Sequence, residues 1–330
     1  MLQIGNIKLQ NWLVMAPMAG ITNLPFRLMV KKLGAGLVFS EMISSVGLSR
    51  KHQKTLAYLK STPAEKPFSA QIFGSNPGTM AQAAQIAIDA GADMVDLNMG
   101  CPVKKVVKTG SGAALMRTPK LAAEIIRAVR LVCKLPLTVK IRAGWSANEA
   151  NASDFAQMLQ DCGADALTVH GRFAGQGFTG KADWDLIAKL KSELKIPLIG
   201  NGDITQPAMA LVLKKRSNCD GIMIGRGAIG NPWIFHQVLA LEQGRGLTPV
   251  SISKRKAFIL EHFHLLCDFM GEYKASLNMR GLLLWYTKGL PHSTQFRANI
   301  GRIKDLNSLL QIMENYFSEI DQHPRVPNSL

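Results

Sequence analysis

Acidic side chains are scarce in this chain: 23 Asp and Glu stand against 39 Lys and Arg over 330 residues, a formal charge of +16. Cysteine is scarcer still. Cys101, Cys133, Cys162, Cys219 and Cys267 are odd in number, far apart and never spaced as CxxC. That excludes a disulfide scaffold, a zinc knuckle or iron–sulfur ligation, and leads us to expect a reducing, cytoplasmic setting. No metal site is expected. No apolar run reaches the ~18 residues of a membrane helix, so no membrane partner is expected. The start, Met1-Leu-Gln-Ile-Gly5, lacks a basic stretch leading into an apolar one, so no signal peptide is expected. Short repeats and low-complexity tracts are absent. What is abundant is apolar: 47% of residues are hydrophobic, which excludes wholesale disorder.

The positive charge is unevenly placed. Residues 241–330 carry 11 cations and 8 anions, a net of +3, and residues 1–240 carry 28 and 15, a net of +13. Within the latter, residues 101–145 hold ten cations and one anion, Glu124. A run of like charge is ordinarily a solvated face. One this lopsided also fits a phosphate-rich partner.

Eight short apolar runs read as buried parallel strands: 12–16, 36–41, 67–73, 93–98, 136–141, 165–170, 196–200 and 219–224. Helical patterns lie between them at 77–91, 119–134, 151–163, 183–194 and 205–215. Their starts are marked by Pro77, Pro119, Ser153 as an N-cap, Asp183, and Thr205 with Pro207. Eight strands alternating with helices over ~230 residues predict an α/β chain built on a (β/α)8 TIM barrel. A doubly wound sheet has the same strand count. Strand signals stop after Phe235, and helices at 252–271, 275–289 and 302–320 predict a small all-helical C-terminal domain. The division is placed at 1–240 and 241–330.

Active sites of such barrels sit at the C-terminal strand ends. Seven of the eight ends here carry glycine-rich or polar groups: Ala16-Pro-Met-Ala-Gly20, Gln71, Asp96-Leu-Asn-Met-Gly-Cys-Pro102, Lys140-Ile-Arg142, His170-Gly-Arg172, Gly200-Asn-Gly-Asp203 and Met223-Ile-Gly-Arg-Gly227. Singly, each is an ordinary polar rim. Together they predict a site. The loops after strands seven and eight, with Asn201, Gly202, Asp203, Gly225 and Arg226, suit a phosphate, because glycines let backbone N–H groups approach an anion. Lys140 could stabilise negative charge on an electron-accepting ring. Cys101 could act as a nucleophile or, while protonated, as a proton donor. Lys104 and Lys105 beside it would favour the thiolate.

As a set, Pro17-Met-Ala-Gly-Ile-Thr22, Gln71-Ile-Phe-Gly74, Asn98-Met-Gly-Cys-Pro102, Val139-Lys-Ile-Arg142, Thr168-Val-His-Gly-Arg172, Gly200-Asn-Gly-Asp-Ile204 and Met223-Ile-Gly-Arg226 resemble the tRNA-dihydrouridine synthases, above all the bacterial B subfamily. The resemblance covers the barrel through its motifs and the helical domain by length and order. It implies an FMN enzyme that uses NADPH to reduce particular uridines of tRNA to 5,6-dihydrouridine. Hydride would reach C6 from reduced FMN, and Cys101 would protonate C5. Pro17, Met18, Ala19 and Gln71 would contact the isoalloxazine, with Lys140 on its N1/O2 side. His170, Asn201, Gly202, Asp203, Gly225 and Arg226 would hold the ribityl and phosphate end, and Asn98 and Arg142 would address the uracil. The partners implied are tRNA and NADPH, for a monomer. The helical domain would grip tRNA through Arg280, Lys288, Arg297 and Arg302.

Two departures from the family pattern stand out. Asn23 replaces an Asp, and either can cap a helix. Phe173-Ala174 replaces Thr and a further Arg, which removes a tRNA contact from that loop. Two other readings of the same residues are a flavin barrel acting on a small molecule, and an RNA-binding protein on a decayed barrel. Neither needs both the basic segment and an intact Cys101 and Lys140.

Overall fold

The computed structural model describes residues 1–301, 303 and 305–322. It divides into two units. The first comprises Met1–Ala228 with Trp233–Gln243, and the second Ile229–Pro232 with the described residues from Gly244 onward. The division therefore lies three residues beyond the expected one, with a four-residue exchange.

The first unit opens with a two-stranded antiparallel ribbon, Gln3–Ile4 with Ile7–Lys8. Eight parallel strands follow: β1 (Leu13–Met15), β2 (Val38–Phe39), β3 (Phe68–Phe73), β4 (Met94–Asn98), β5 (Leu137–Arg142), β6 (Ala166–His170), β7 (Leu198–Asn201) and β8 (Gly221–Ile224). They pair in order from β2 round to β8, and β8 pairs with β1. A parallel bridge between Val14 and Leu37, with Met15 N–H donating to Leu37 at 2.9 Å, joins β1 to the chain entering β2 and closes the ring. The topology is a (β/α)8 barrel, not a doubly wound sheet. β2 is shorter than expected, and a second piece, Ile43–Ser44, runs parallel to the end of β3.

The outer helices of this unit are α1 (Leu24–Lys32), α2 (Ser45–Ser49), α3 (Pro77–Asp89), α4 (Pro119–Val132), α5 (Ala152–Asp161), α6 (Trp184–Glu193), α7 (Pro207–Ser217) and α8 (Ile234–Glu242). Each buries one stripe. In α4 the buried residues are Ala122, Ala123, Ile125, Ile126 and Val129, spaced for one helical face. Asp183 caps α6 as expected, accepting from Asp185 and Leu186 N–H. Two starts differ from the sequence reading. Asn151, not Ser153, is the N-cap of α5, and its Nδ2 donates to Met116 O. α7 begins at Pro207 behind Gln206, while the Thr205 hydroxyl turns to Met209 Sδ. Helix α1 was not expected. Asn23 caps it by accepting from Phe26 N–H at 3.1 Å, and Pro25 sits where a missing N–H costs nothing.

The second unit is helical: α9 (Ile252–Met270), α10 (Glu272–Tyr286), α11 (Ser293–Ile300) and α12 (Leu306–Gln322). Gly271, at φ +80°, ends α9, and α10 restarts at once rather than at 275. Helix α11 was not foreseen. The last helix, expected from 302, is described from Leu306, and Arg302 lies outside the described residues. Leu309, Met313, Tyr316, Phe317 and Ile320 form the buried face of α12, with Tyr316 stacked on Phe296 at 4.2 Å.

Arg27 of α1 is one of the two largest fully buried side chains of the barrel unit, with Arg172. It makes a bidentate pair with Glu65 at 2.6 and 3.0 Å, donates to Thr22 O and Lys60 O, and lies 4.6 Å over the Phe68 ring. Removing one partner of such a pair strands the other charge in low dielectric. Glu65→Ala should therefore cost about 3–5 kcal/mol of barrel stability. A denaturant titration showing a loss below about 1 kcal/mol, the value of an exposed pair, would contradict this account.

Candidate active site

Successive strand residues point to opposite faces, so alternate residues of neighbouring strands meet inside the barrel. At the C-terminal end this brings Gln71 of β3, Asp96 and Asn98 of β4, and Thr138, Lys140 and Arg142 of β5 together. Register sets Gln71 opposite Asp96, Asp96 opposite Thr138, and Asn98 opposite Lys140.

These groups satisfy one another. Thr138 donates to Asp96 Oδ1 at 2.5 Å, and Gln71 Nε2 donates to Asp96 Oδ2 at 2.6 Å. Asn98 Nδ2 donates to Gln71 Oε1 at 2.8 Å. Asn98 Oδ1 then accepts the N–H groups of Gly100 at 3.2 Å and Cys101 at 2.9 Å. Asn98, expected at the uracil, thus shapes the loop that carries the thiol. Asp96 is fully buried, and that burial pushes its carboxyl up to about 6 despite the Thr138 and Gln71 donors and the nearby Lys140.

From its other side the Cys101 loop is clamped by Ala113 N–H, which donates to Cys101 O at 3.0 Å. Gly112, at φ +62°, passes so close that an added Cβ would stand 2.6 Å from that carbonyl. Arg142 Nε donates to Gly100 O at 2.8 Å. The Cys101 thiol is partly buried, and burial raises its pKa above that of an ordinary thiol. The Val103 N–H and the charges of Arg142 and Lys140 oppose that without prevailing. Lys104 and Lys105, expected to favour the thiolate, are exposed at the start of a short helical turn, and neither is among the groups that shift Cys101. The group at this position is a thiol at neutral pH.

Lys140 Nζ donates to Asn201 Oδ1 at 3.1 Å, and Asn201 Nδ2 donates to Met223 O at 2.8 Å, so the ends of β5, β7 and β8 are tied. Burial and the adjacent Arg142 lower Lys140 to about 8, against the opposing effects of Asp96 and Cys101. His170 is buried, and its pKa falls to about 2 through burial and the charges of Lys140, Arg142, Arg172 and Arg226. A guanidinium can only donate, so the 3.2 Å approach of Arg172 Nη1 makes His170 Nε2 the acceptor and leaves the proton on Nδ1.

Arg142, expected at the uracil, is largely committed to backbone carbonyls. Arg142 Nη1 donates to Phe173 O and Gly177 O, both at 2.9 Å, and among the described residues no hydrogen-bond partner is seen for Nη2. Arg172, quoted in a motif but given no role, donates to Thr179 O, Gly180 O and Asp203 Oδ1. Asp203 Oδ2 accepts Ala182 N–H at 2.7 Å. The carboxylate expected at the ribityl end therefore joins the loops after β6 and β7. Gly202, at φ +133°, has no room for a Cβ, which would lie 2.5 Å from Ala182 Cβ. Arg226 lies 4.5 Å over the ring of Phe178, an exposed residue with no sequence signal beyond its place in a loop.

Pro17, Met18 and Ala19 form the turn after β1, held by Thr22 Oγ1 accepting from Met18 N–H at 2.9 Å. The end of β2, the one strand end without an expected role, contributes Glu41, which accepts Gly20 N–H and braces that turn. Gly225 is open: an added Cβ would meet only Ala16 at 3.6 Å and Met18 Sδ at 3.9 Å. In the helical unit, Arg280 and Arg297 donate to backbone carbonyls, and Lys288 is exposed.

The profile of the dihydrouridine synthase family (Dus) matches residues 14–321. The chain belongs to that family. It is 40% identical over 320 residues to tRNA-dihydrouridine synthase B of Xanthomonas axonopodis pv. citri, covering 97% of this chain and 96% of that one. It is 40% identical over 317 residues to tRNA-dihydrouridine synthase B of Proteus vulgaris, covering 96% and 98%. Solved structures share the barrel at low identity. A morphinone reductase variant in complex with tetrahydroNAD matches at TM-score 0.56 and 16% identity, over 77% of this chain and 92% of its own. An old yellow enzyme homologue from Zymomonas mobilis matches at 0.54 and 16%, over 77% and 94%. Among the described residues no helix is long and apolar enough to cross a membrane.

The raised Cys101 pKa has a direct consequence. The pH profile of its alkylation by iodoacetamide should have a midpoint above the ~8.5 of a free thiol. A midpoint near or below neutrality would mean a thiolate and would overturn the proton-donor assignment.

Proposed function

We propose that this protein reduces specific uridines of tRNA to 5,6-dihydrouridine, acting in the cytoplasm as a monomer. The observation that carries the reading is a clamped Cys101, held as the thiol, at a barrel mouth that also holds a half-buried lysine, in a chain of the dihydrouridine synthase family.

The donor set fits FMN. Gln71 offers an amide, Lys140 a cation, and Arg226 a second cation beside the loops at Gly202 and Gly225, where backbone N–H groups suit a phosphate. Pro17, Met18, Ala19 and Gln71 would contact the ring, and Lys140 its N1/O2 side. His170, Asn201, Gly202, Asp203, Gly225 and Arg226 would take the ribityl phosphate, with Asp203 acting through loop position rather than its carboxylate. When bound and reduced by NADPH, FMN supplies hydride to C6 of the uracil.

The remaining work belongs to the chain. Cys101 Sγ delivers the proton to C5. As a thiol it already carries that proton, and the positive charge of Lys140 and Arg142 steadies the thiolate left behind. Arg142 Nη2 and the second Nδ2 hydrogen of Asn98 remain for the uracil carbonyls. Neutral His170 keeps its Nδ1 proton as a donor. The target base must leave its stack to reach the mouth, which costs a few kcal/mol.

Backbone grip comes from exposed cations. Helix α4 runs back against the strands, so Arg127, Arg130 and Lys134 are carried toward the opposite barrel end. Lys104, Lys105, Lys108, Arg117 and Lys120 follow Cys101 along the chain and are exposed, with Arg117 paired to Glu149. The helical unit would add Arg280, Lys288, Arg297 and Arg302.

Cys101→Ala should retain FMN and tRNA binding and lose most dihydrouridine formation, on the order of 10²-fold or more. Unchanged formation would refute the assignment, and turnover of a free pyrimidine without tRNA reduction would favour a small-molecule substrate. Binding of tRNA should weaken steeply between low and physiological salt, as phosphate contacts require. A flat dependence would count against the electrostatic grip. Lys140 is charged below about 8 and neutral above it. FMN affinity, followed by quenching of flavin fluorescence, should therefore fall as pH rises through that value, and Lys140→Met should remove the step.

A further inference from the structure

Among the described residues, Asp96 is a fully buried ionisable side chain of the barrel that the reaction above does not use, and its partners are ordered in a way that chemistry fixes from both ends. At one end are two obligate donors, the N–H groups of Gly100 and Cys101, so the Asn98 atom that meets them must be oxygen. Asn98 Nδ2 must then face Gln71, which presents Oε1. Gln71 Nε2 is left pointing at Asp96 and needs an acceptor. An ionised carboxylate offers nothing else. Thr138 closes the far side by donating to the other oxygen.

We propose that Asp96 is a positioning residue for Cys101: as the terminal acceptor it sets the direction of the Gln71 and Asn98 amides, and through them holds the Gly100–Cys101 turn in its working geometry. The inference rests on the reading of Cys101 as the proton donor. All four side chains of the relay are buried, at 0% exposure for Asp96, 1% for Gln71, 2% for Thr138 and 8% for Asn98, so water does not readily substitute for a missing member. Lys140 is the charged neighbour of Asp96, and although burial raises the carboxyl to about 6 it remains ionised at neutral pH. Nothing in the relay touches the thiol itself. Its effect is on where the thiol stands and how tightly the turn is held.

The relay requires an acceptor at position 96, not a charge. Asp96→Asn can keep its oxygen toward Gln71 and turn its amide nitrogen to the Thr138 hydroxyl, because the reverse orientation would flip both amides and set Asn98 Nδ2 against the Cys101 N–H. Asp96→Leu keeps the volume and removes the acceptor. Gln71→Met cuts the relay at its centre.

The test is native alkylation of the full-length protein with iodoacetamide, before tRNA is added, read cysteine by cysteine on peptides. Partly exposed Cys267 serves as the reference, and buried Cys133, Cys162 and Cys219 report loss of fold. Relative to Cys267, Cys101 should label about tenfold faster in Asp96→Leu and in Gln71→Met, and within about threefold of wild type in Asp96→Asn. Dihydrouridine formation should follow the same order in kcat, with KM for tRNA little changed. Wild-type labelling of Cys101 in both Asp96→Leu and Gln71→Met, with the buried cysteines protected, overturns the proposal. So does Asp96→Asn labelling as fast as Asp96→Leu, because charge would then be what matters. If Asp96→Leu exposes the buried cysteines, Gln71→Met decides. Failure of the wild type to form dihydrouridine would sink the functional reading and leave this labelling order to be judged separately.

Discussion

A carboxylate buried at the centre of a parallel barrel keeps its charge only if donors are turned toward it, and that need organises the mouth of this molecule. Asp96 draws Thr138 from one side and Gln71 from the other. Once Gln71 gives its N–H to Asp96, its oxygen is committed to Asn98, and Asn98 is committed to the backbone of the cysteine turn. A group deep in the ring thereby governs a thiol at the rim. The strands permit this because their two-residue period and register put Asp96, Asn98, Thr138, Lys140 and Arg142 on the same, inner face of the barrel.

The cations divide by the same logic. Arg142 and Arg172 are buried and use their guanidinium forks on carbonyl oxygens of the loop after β6, so they build that loop. Burial first, and then their fields with those of Lys140 and Arg226, hold His170 neutral. Lys104 and Lys105 stay in solvent. The charge excess of residues 101–145 is therefore several populations: two groups inside the site, five exposed cations between Lys104 and Lys120, and three in the last turns of α4 and just beyond it.

Much of the architecture was legible because it is written locally. The eight strands appear as apolar runs too short for helices, and all eight lie in the ring. Asp183 and Asn23 announce their caps by residue type. Helix α1 is short, nine residues, and carries Pro25 at its second position, so its apolar pattern is brief. Helix α11 was not read because it is a bare two turns between Pro291 and Gly301. Residues next to each other in sequence also misled: Lys104 and Lys105 flank Cys101 along the chain, yet the short turn they start points them outward.

By itself the sequence determined the barrel, the helical segment after it and the motif-bearing strand ends, since periodicity, caps and glycine turns act over a few residues. It also marks the side chains proposed to carry the chemistry, Cys101 and Lys140 above all. Only the tertiary structure decided what those side chains are committed to. It assigned Asn98 to the cysteine turn, Arg142 to carbonyls of the loop after β6, and the Asp203 carboxylate to Arg172. It also decided that Cys101 is a thiol. The physical reason is that hydrogen-bond partners and desolvation are properties of strand register and burial, and both arise only when distant segments of the chain are brought side by side.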